Sequence, residues 1–241
     1  MPEVRSLPIK TDIFQQGEDF HQFLLNAVKG KLSNGDVLSV STKVVSINEG
    51  RIVSKSEISK KDLVEKESDQ FLGEIGYNIF LTIKDGLLIP SAGIDESNAG
   101  DGQYLLFPEK PFDSAKAIWA YLKKELQLDQ LGVILVDSHT TPLRRGTSGI
   151  ALSYWGFEAV RDYRGTPDLD GKPLEYTFLN LVDSLAATAN LSMGEGNECT
   201  PLVITKGVEL NFVDEVDPTE IQIPIKEDLY YPFLKSITDK N

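Results

Sequence analysis

The run Leu131-Gly132-Val133-Ile134-Leu135-Val136 constrains the fold most: it is the most apolar short stretch in the chain, too short for a membrane span and rich in β-branched side chains. Such a run suits a strand buried on both faces. It ends in Asp137, and the carboxyl end of a strand is a common place for a sheet to meet a ligand. A chain of 241 residues with 41% apolar and 25% charged side chains is long enough to build that core.

Local patterns supply the remaining elements. Phe20, Phe23, Leu24, Ala27 and Val28 form one apolar stripe and predict a helix over 18–29, stopped by Gly30. The β-branched segment 37–45 predicts a strand. The charged segment 56–72 fits a surface helix or two short ones. Asp85-Gly86, between the apolar runs 77–84 and 87–90, predicts a tight hairpin and hence antiparallel sheet. Further helices are predicted over 111–128, capped by Asp113 or Ser114, and over 173–193, ended by Gly194, with Ala186, Ala187 and Ala189 slim enough for close packing. A strand is expected over 201–205, and an acidic tail, irregular apart from 221–225, over 213–241. With no repeat and no linker, the expectation is a mixed α+β fold with an antiparallel-rich sheet in one domain over 1–241, at most two intertwined lobes.

Charge and cysteine usage narrow the chemistry. Thirty-seven acidic residues against 24 basic ones give a net charge of -13, which repels phosphate backbones and anionic lipid. Nucleic-acid and membrane partners are therefore not expected. One cysteine and two histidines leave no disulfide, thiolate-zinc or CxxC centre within the chain, so a metal here would be hard and oxygen-bound. The absence of an apolar leader suits a reducing, cytoplasmic setting.

Two loops carry the candidate chemistry. Asp95 and Asn98, three apart in a Gly-bearing loop, either turn toward one ligand or close an Asx-turn on their own backbone. Asp137, followed by Ser138, His139, Thr140, Thr141, Arg144 and Arg145, either caps its loop or offers an acid and hydroxyls to Mg²⁺ beside arginines suited to phosphate or carboxylate. Gly194-Glu195-Gly196 is neither a Walker loop nor a dinucleotide fingerprint. Arg161-Asp162-Tyr163-Arg164 fits an internal ion pair as well as a carboxylate site. His21 is expected to be half-buried and structural, Cys199 a small buried hydrophobe, and the run 214–220 solvated surface.

The ordered set Gly35-Asp36-Val37-Leu38, Glu49-Gly50-Arg51, Ala92-Gly93-Ile94-Asp95-Glu96-Ser97-Asn98, Val133-Ile134-Leu135-Val136-Asp137-Ser138, Arg144-Arg145-Gly146, Asp162-Tyr163-Arg164-Gly165 and Met193-Gly194-Glu195-Gly196 resembles the coenzyme F420-0:γ-glutamyl ligase family over nearly the whole chain. The resemblance implies a homodimeric enzyme that uses GTP (or ATP), Mg²⁺ or Mn²⁺ and K⁺. Its reaction would join L-glutamate to the carboxylate of a γ-glutamyl-tailed coenzyme through an acyl phosphate. It implies Asp95 and Asp137 as catalytic, metal-holding carboxylates, with Ser138 where the family has a threonine ligand. It also implies nucleotide contacts from Leu7, Pro8, Ile9, Lys10, Thr42 and Asn98, and from the loop containing Gly194, Glu195 and Gly196. Two departures stand out. Ile47 replaces a lysine that meets the nucleotide phosphates, with Lys43 on the same side of an ideal strand as its substitute, and His139-Thr140-Thr141 replaces the usual loop after the acid. These departures keep open a folate γ-glutamate ligase and a non-catalytic nucleotide- and metal-binding relative.

Overall fold

The computed structural model describes residues 3–97 and 100–238. In chain order its elements are β1 (Arg5–Ile9), α1 (Phe20–Val28), β2 (Asp36–Ser41), α2 (Thr42–Asn48), β3 (Ile52–Ser54), α3 (Lys60–Glu67), β4 (Gln70–Gly76), β5 (Ile79–Lys84), β6 (Leu87–Pro90), β7 (Gln103–Leu105), α4 (Pro111–Glu125), β8 (Leu131–Thr140), β9 (Thr147–Trp155), β10 (Val160–Asp162), β11 (Phe178–Asn180), α5 (Leu181–Met193), β12 (Leu202–Lys206) and α6 (Tyr231–Thr238).

The main sheet has the order β1-β12-β2-β8-β9. Its pairs are antiparallel except β2 with β8, which run parallel from Asp36↔Leu131 to Ser41↔Val136. Side chains alternate between the faces of β8. Val133 and Leu135 join Phe20, Leu24 and Val28 of α1, Val44 and Val45 of α2, and Ala115, Ile118 and Leu122 of α4 on one side. Ile134 and Val136 join Val182, Leu185, Ala186 and Ala189 of α5 on the other. The apolar run is thus buried on both faces, each fully buried aliphatic side chain contributing roughly 1.5–3 kcal/mol. Pro8 sits in the edge strand β1, the one place in a sheet where a residue without an N–H costs little.

A smaller unit is built on the antiparallel sheet β4-β5-β6, with α3 and the pair β3-β7 around it. Its core is Leu63, Val64, Phe80, Ala92, Ile94, Tyr104 and Leu106. The Asp85-Gly86 hairpin forms as predicted, both residues having positive φ (51° and 78°). Thr82, fully buried, donates to Ile89 O at 2.6 Å and accepts from Ala92 N at 2.9 Å, which fixes the turn leading to Asp95. A bulge couples this unit to the main sheet. Between Leu135↔Ser153 and Val136↔Ala151 the register slips, leaving Leu152 as the extra residue. Leu152 then packs with Ile89 and Phe107 of the smaller unit.

Several expectations are corrected. The segment 37–45 is a strand only to Ser41, and Thr42 begins α2. Pairing with β8 stops at Ser41↔Val136 although β8 runs on, and a helical turn returns Val44 and Val45 to the core, which outweighs the modest strand preference of β-branched residues. The segment 173–180 is not helical: 173–177 is irregular, Phe178–Asn180 pairs with Val160–Asp162, and Asn180 caps α5 by accepting from Asp183 N. Helix α4 starts after Lys110 with Pro111 in its first turn and has no side-chain cap; Ser114 Oγ donates instead to Glu49 Oε1 at 2.6 Å. β8 continues to Thr140, so the polar loop expected after Asp137 is largely a hairpin. The acidic run 214–220 is mostly solvent-exposed, as expected, with local anchors: Asp214 and Glu215 form exposed pairs with Lys123 and Lys116, and half-buried Glu220 accepts from Tyr154 Oη at 2.8 Å and Ala159 N at 3.0 Å. No strand forms over 221–225.

Candidate functional site

Because β2 and β8 are parallel, β2 ends beside Val136 of β8, which runs on to Thr140, and α2 begins where β2 stops. Asp137, next along β8 after Val136, falls by alternation on the face that carries α2. Thr42, the first residue of α2 and 2% exposed, donates from Oγ1 to Asp137 Oδ1 at 3.0 Å. Burial pushes the Asp137 carboxyl up to about 7, against the opposing pull of the Thr42 hydroxyl and Lys43, and the charge of Asp95 pushes in the same direction as burial.

Asp95 reaches this end of the sheet from the smaller unit, held by backbone bonds of 2.9 Å in both directions with Leu105. Its Oδ1 accepts from Ser97 N and Ser97 Oγ, each at 2.7 Å, so the Asx-turn expected for this loop is present. Its Oδ2 meets Lys43 Nζ at 2.5 Å. Burial raises the Asp95 carboxyl, but Lys43 and the two Ser97 donors more than offset it and leave it below the usual carboxylate range. The next residue is also clamped: Glu96 takes Lys55 at 2.6 Å and Lys60 at 2.7 Å.

Lys43 and Asp137 border a cavity of about 410 Å³ where β2 ends, and Asp95 is tied to its wall through the ion pair with Lys43. Ser41, Lys43, Val44, Ile47 and Asp137 line one side, Asn190 and Met193 of α5 with 194–201 the other, and Thr11 to Phe14 the rim. Gly194, at φ 79°, ends α5 as predicted and leaves room for the Glu198 side chain, whose Oε2 accepts from Gly196 N at 2.8 Å. Glu195 Oε1 accepts from Asn190 Nδ2 at 2.8 Å.

The other predicted residues take varied positions. Ser138 lines the cavity, but alternation sends its hydroxyl to the α5 side of the sheet, away from the Asp137 carboxylate. Thr42 spends its hydroxyl on Asp137. Lys43 and Ile47 share a side of α2 through helical, not strand, spacing. Leu7 and Pro8 are exposed on β1, Ile9 is in the core and Lys10 is exposed; the cavity's N-terminal rim starts one residue later, at Thr11. Asn98 lies outside the described residues. Asp162 and Arg164 form the internal pair, at 2.8 Å. His21 is exposed, its ring 4.5 Å from that of Tyr121, and Cys199 is half-buried on the cavity wall. Thr11, Asp12, Ile13 and Phe14 are among the lining residues that the sequence did not mark, as are Ser41, Val44, Gly100 and Asn190.

Among the described residues no group of three or more His, Cys, Asp or Glu side chains could hold a metal ion. Asp95 and Asp137 are two hard oxygen donors with a lysine ammonium already at one of them. That set fits Mg²⁺ or Mn²⁺, ions that take one or two carboxylates and leave their other positions to water and substrate phosphate. No helix of the described residues is long and apolar enough to cross a membrane.

The chain is similar in sequence to known proteins. A Methanopyrus kandleri protein named coenzyme F420:L-glutamate ligase is 31% identical over 87% of this chain and 89% of its own length. Proteins of the same name from Halobacterium salinarum and Archaeoglobus fulgidus are 35% and 32% identical, over 77% and 96% of this chain and 80% and 96% of their own. The family model described as F420-0:Gamma-glutamyl ligase matches residues 8–207. A family match over residues 8–207 and relatives that align with most of the chain lead to one conclusion: this protein belongs to the F420-0:gamma-glutamyl ligase family.

Proposed function

We propose that the chain joins the amine of L-glutamate to the terminal carboxylate of coenzyme F420-0 at the expense of GTP, with ATP as the competing nucleotide and Mg²⁺ or Mn²⁺ held by Asp95 and Asp137. The observation that carries this reading is that Asp137 and Lys43 line an open cavity where β2 ends beside β8, with Asp95, from the smaller unit, ion-paired to that lysine and near enough for its charge to act on Asp137. The names of the relatives support F420-0 over folate as acceptor.

A carboxylate does not react with an amine at neutral pH, so the acceptor must first be activated. One acceptor oxygen attacks the γ-phosphorus, the bond to the nucleotide's β–γ bridging oxygen breaks, and the nucleoside diphosphate leaves. The glutamate amine then attacks the acyl phosphate carbon, loses a proton and expels phosphate, which carries away one former carboxylate oxygen. The bound divalent ion supplies charge neutralisation during phosphoryl transfer. Thr42 fixes the orientation of Asp137, and Ser97 fixes that of Asp95. Lys43 is the cation available to the phosphates where Ile47 carries none. The loop 194–200 closes the cavity opposite them. K⁺ as an accessory ion, a cytoplasmic location and a homodimer belong to the same reading; sedimentation velocity tests the dimer directly.

Acceptor labelled with ¹⁸O in its reacting carboxylate tests the chemistry. The expected product is inorganic phosphate containing one ¹⁸O per glutamate added. Unlabelled phosphate, with glutamate still incorporated, would contradict the acyl-phosphate step.

A further inference from the structure

The two oxygens of Asp95 are held in different ways. Oδ1 is fixed by both donors of Ser97, its neighbour in the loop. Oδ2 is met by Lys43 Nζ, which comes from another element and also donates to Ser97 Oγ at 3.1 Å. The same lysine follows Thr42, the partner of Asp137, and its charge acts on Asp137 as well. One ammonium is therefore ion-paired to Asp95 and within electrostatic reach of Asp137, the two acids that would attract a divalent ion. The pair is about a third exposed, with side-chain exposures of 33% and 31%, and an ammonium on a flexible four-carbon stem can leave without any backbone change. Lys43 also lines the cavity, one helical turn before Ile47.

We propose that Lys43 is an exchangeable counter-ion: it occupies Asp95 Oδ2 in the metal-free protein, yields that oxygen to the entering divalent ion, and then places its ammonium in the cavity against the nucleotide phosphates. This inference rests on the metal- and nucleotide-binding reading above. The exchange makes the site self-neutralising at each stage. Without metal, one positive charge offsets part of the acidic pair; with metal and nucleotide, the same charge offsets the triphosphate. It also gives Ile47 a physical explanation, since a cation supplied from one turn away makes a lysine at 47 dispensable.

The test compares wild type, Lys43→Met and Lys43→Arg by Mn²⁺ binding in the absence of nucleotide, followed by electron paramagnetic resonance, and by GTP binding at saturating Mn²⁺, followed by calorimetry. Thermal melts establish that each variant folds, and Lys43→Gln replaces Lys43→Met if the latter does not. Removal of the competing ammonium is expected to tighten Mn²⁺ binding by about fivefold, the scale of an exposed ion pair. The same change should weaken GTP binding by about tenfold or more, as a lost charge-assisted contact does. Lys43→Arg, which keeps the charge, should stay near wild type in both. Mn²⁺ binding that is unchanged or weaker in Lys43→Met, or GTP binding that is unchanged, would overturn the exchange. A wild-type protein that binds no Mn²⁺, or binds it equally well after Asp95→Asn, would overturn the metal-site reading and this inference with it.

Discussion

Asp137→Asn is expected to lower glutamate-dependent phosphate release by about a thousandfold or more, a loss of about 4 kcal/mol in transition-state stabilisation, while leaving the metal-free protein's melting temperature unchanged or slightly raised. Both halves follow from the position of the residue. The side chain follows the buried run of β8, its Oδ1 bonded to Thr42 Oγ1, and the asparagine oxygen can accept the same bond in the same volume. What the substitution removes is charge. In the wild type that charge is costly to keep, since burial raises the carboxyl to about 7, so a neutral isostere does not weaken the metal-free fold. The charge is indispensable only if a cation is to be held there during phosphoryl transfer. Steady-state phosphate release together with thermal melts checks the pair of outcomes. A melting temperature that falls along with activity would assign Asp137 a structural role instead.

Gly149→Ala is expected to destabilise the protein by roughly 3 kcal/mol, which for a chain of this length corresponds to a drop of roughly 6–12 °C in melting temperature. Gly149 lies on β9 beneath α5. A Cβ there would stand 2.3 Å from Ala186 O and 2.6 Å from Asn190 Cβ, and the nearer obstacle is helix backbone that cannot swing aside. This close approach also explains the slim stretch Ala186, Ala187 and Ala189, of which Ala186 and Ala189 are fully buried against the sheet. Any shift of α5 also moves Asn190, Met193 and the loop from Gly194, which form one wall of the cavity, so the variant should lose nucleotide affinity as well as stability. Differential scanning calorimetry reads the first effect directly. An unchanged melting temperature would mean that α5 does not press on β9 as described.

Features that depend on near neighbours in sequence were legible. The doubly buried β8, the Asp85-Gly86 hairpin, the stripe of α1 and the Gly194 stop are each written in a few consecutive residues whose preferences agree with their surroundings. Features decided by distant partners were not. The β-branched residues after Ser41 favour a strand when taken alone, and only the end of pairing with β8 turns them into α2. The segment before Asn180 resembles a helix until its pairing with Val160–Asp162 is known. The same division runs through the site. Asp95 and Asp137 could be singled out as acids at strand-linked loops, but the bulge at Leu152, which ties the smaller unit to the main sheet, has no signature in composition or period. Thr42 could be marked as a strand-end hydroxyl, yet its role of holding Asp137 appears only once α2 is a helix. The rim from Thr11 to Phe14 follows β1 with no motif of its own. Its place at the cavity comes from the antiparallel pairing of β1 with β12 and from Thr11 N donating to Cys199 O.

The most direct test of the account is mass spectrometry of reactions containing L-glutamate, Mg²⁺ or Mn²⁺, K⁺ and either GTP or ATP, with F420-0 and a tetrahydrofolate monoglutamate offered in parallel as acceptors. The account predicts a glutamyl increment on F420-0 that requires nucleotide and divalent metal and is lost in Asp137→Asn. No increment on F420-0 from a protein that binds nucleotide and metal, or an increment on the folate alone, would contradict it.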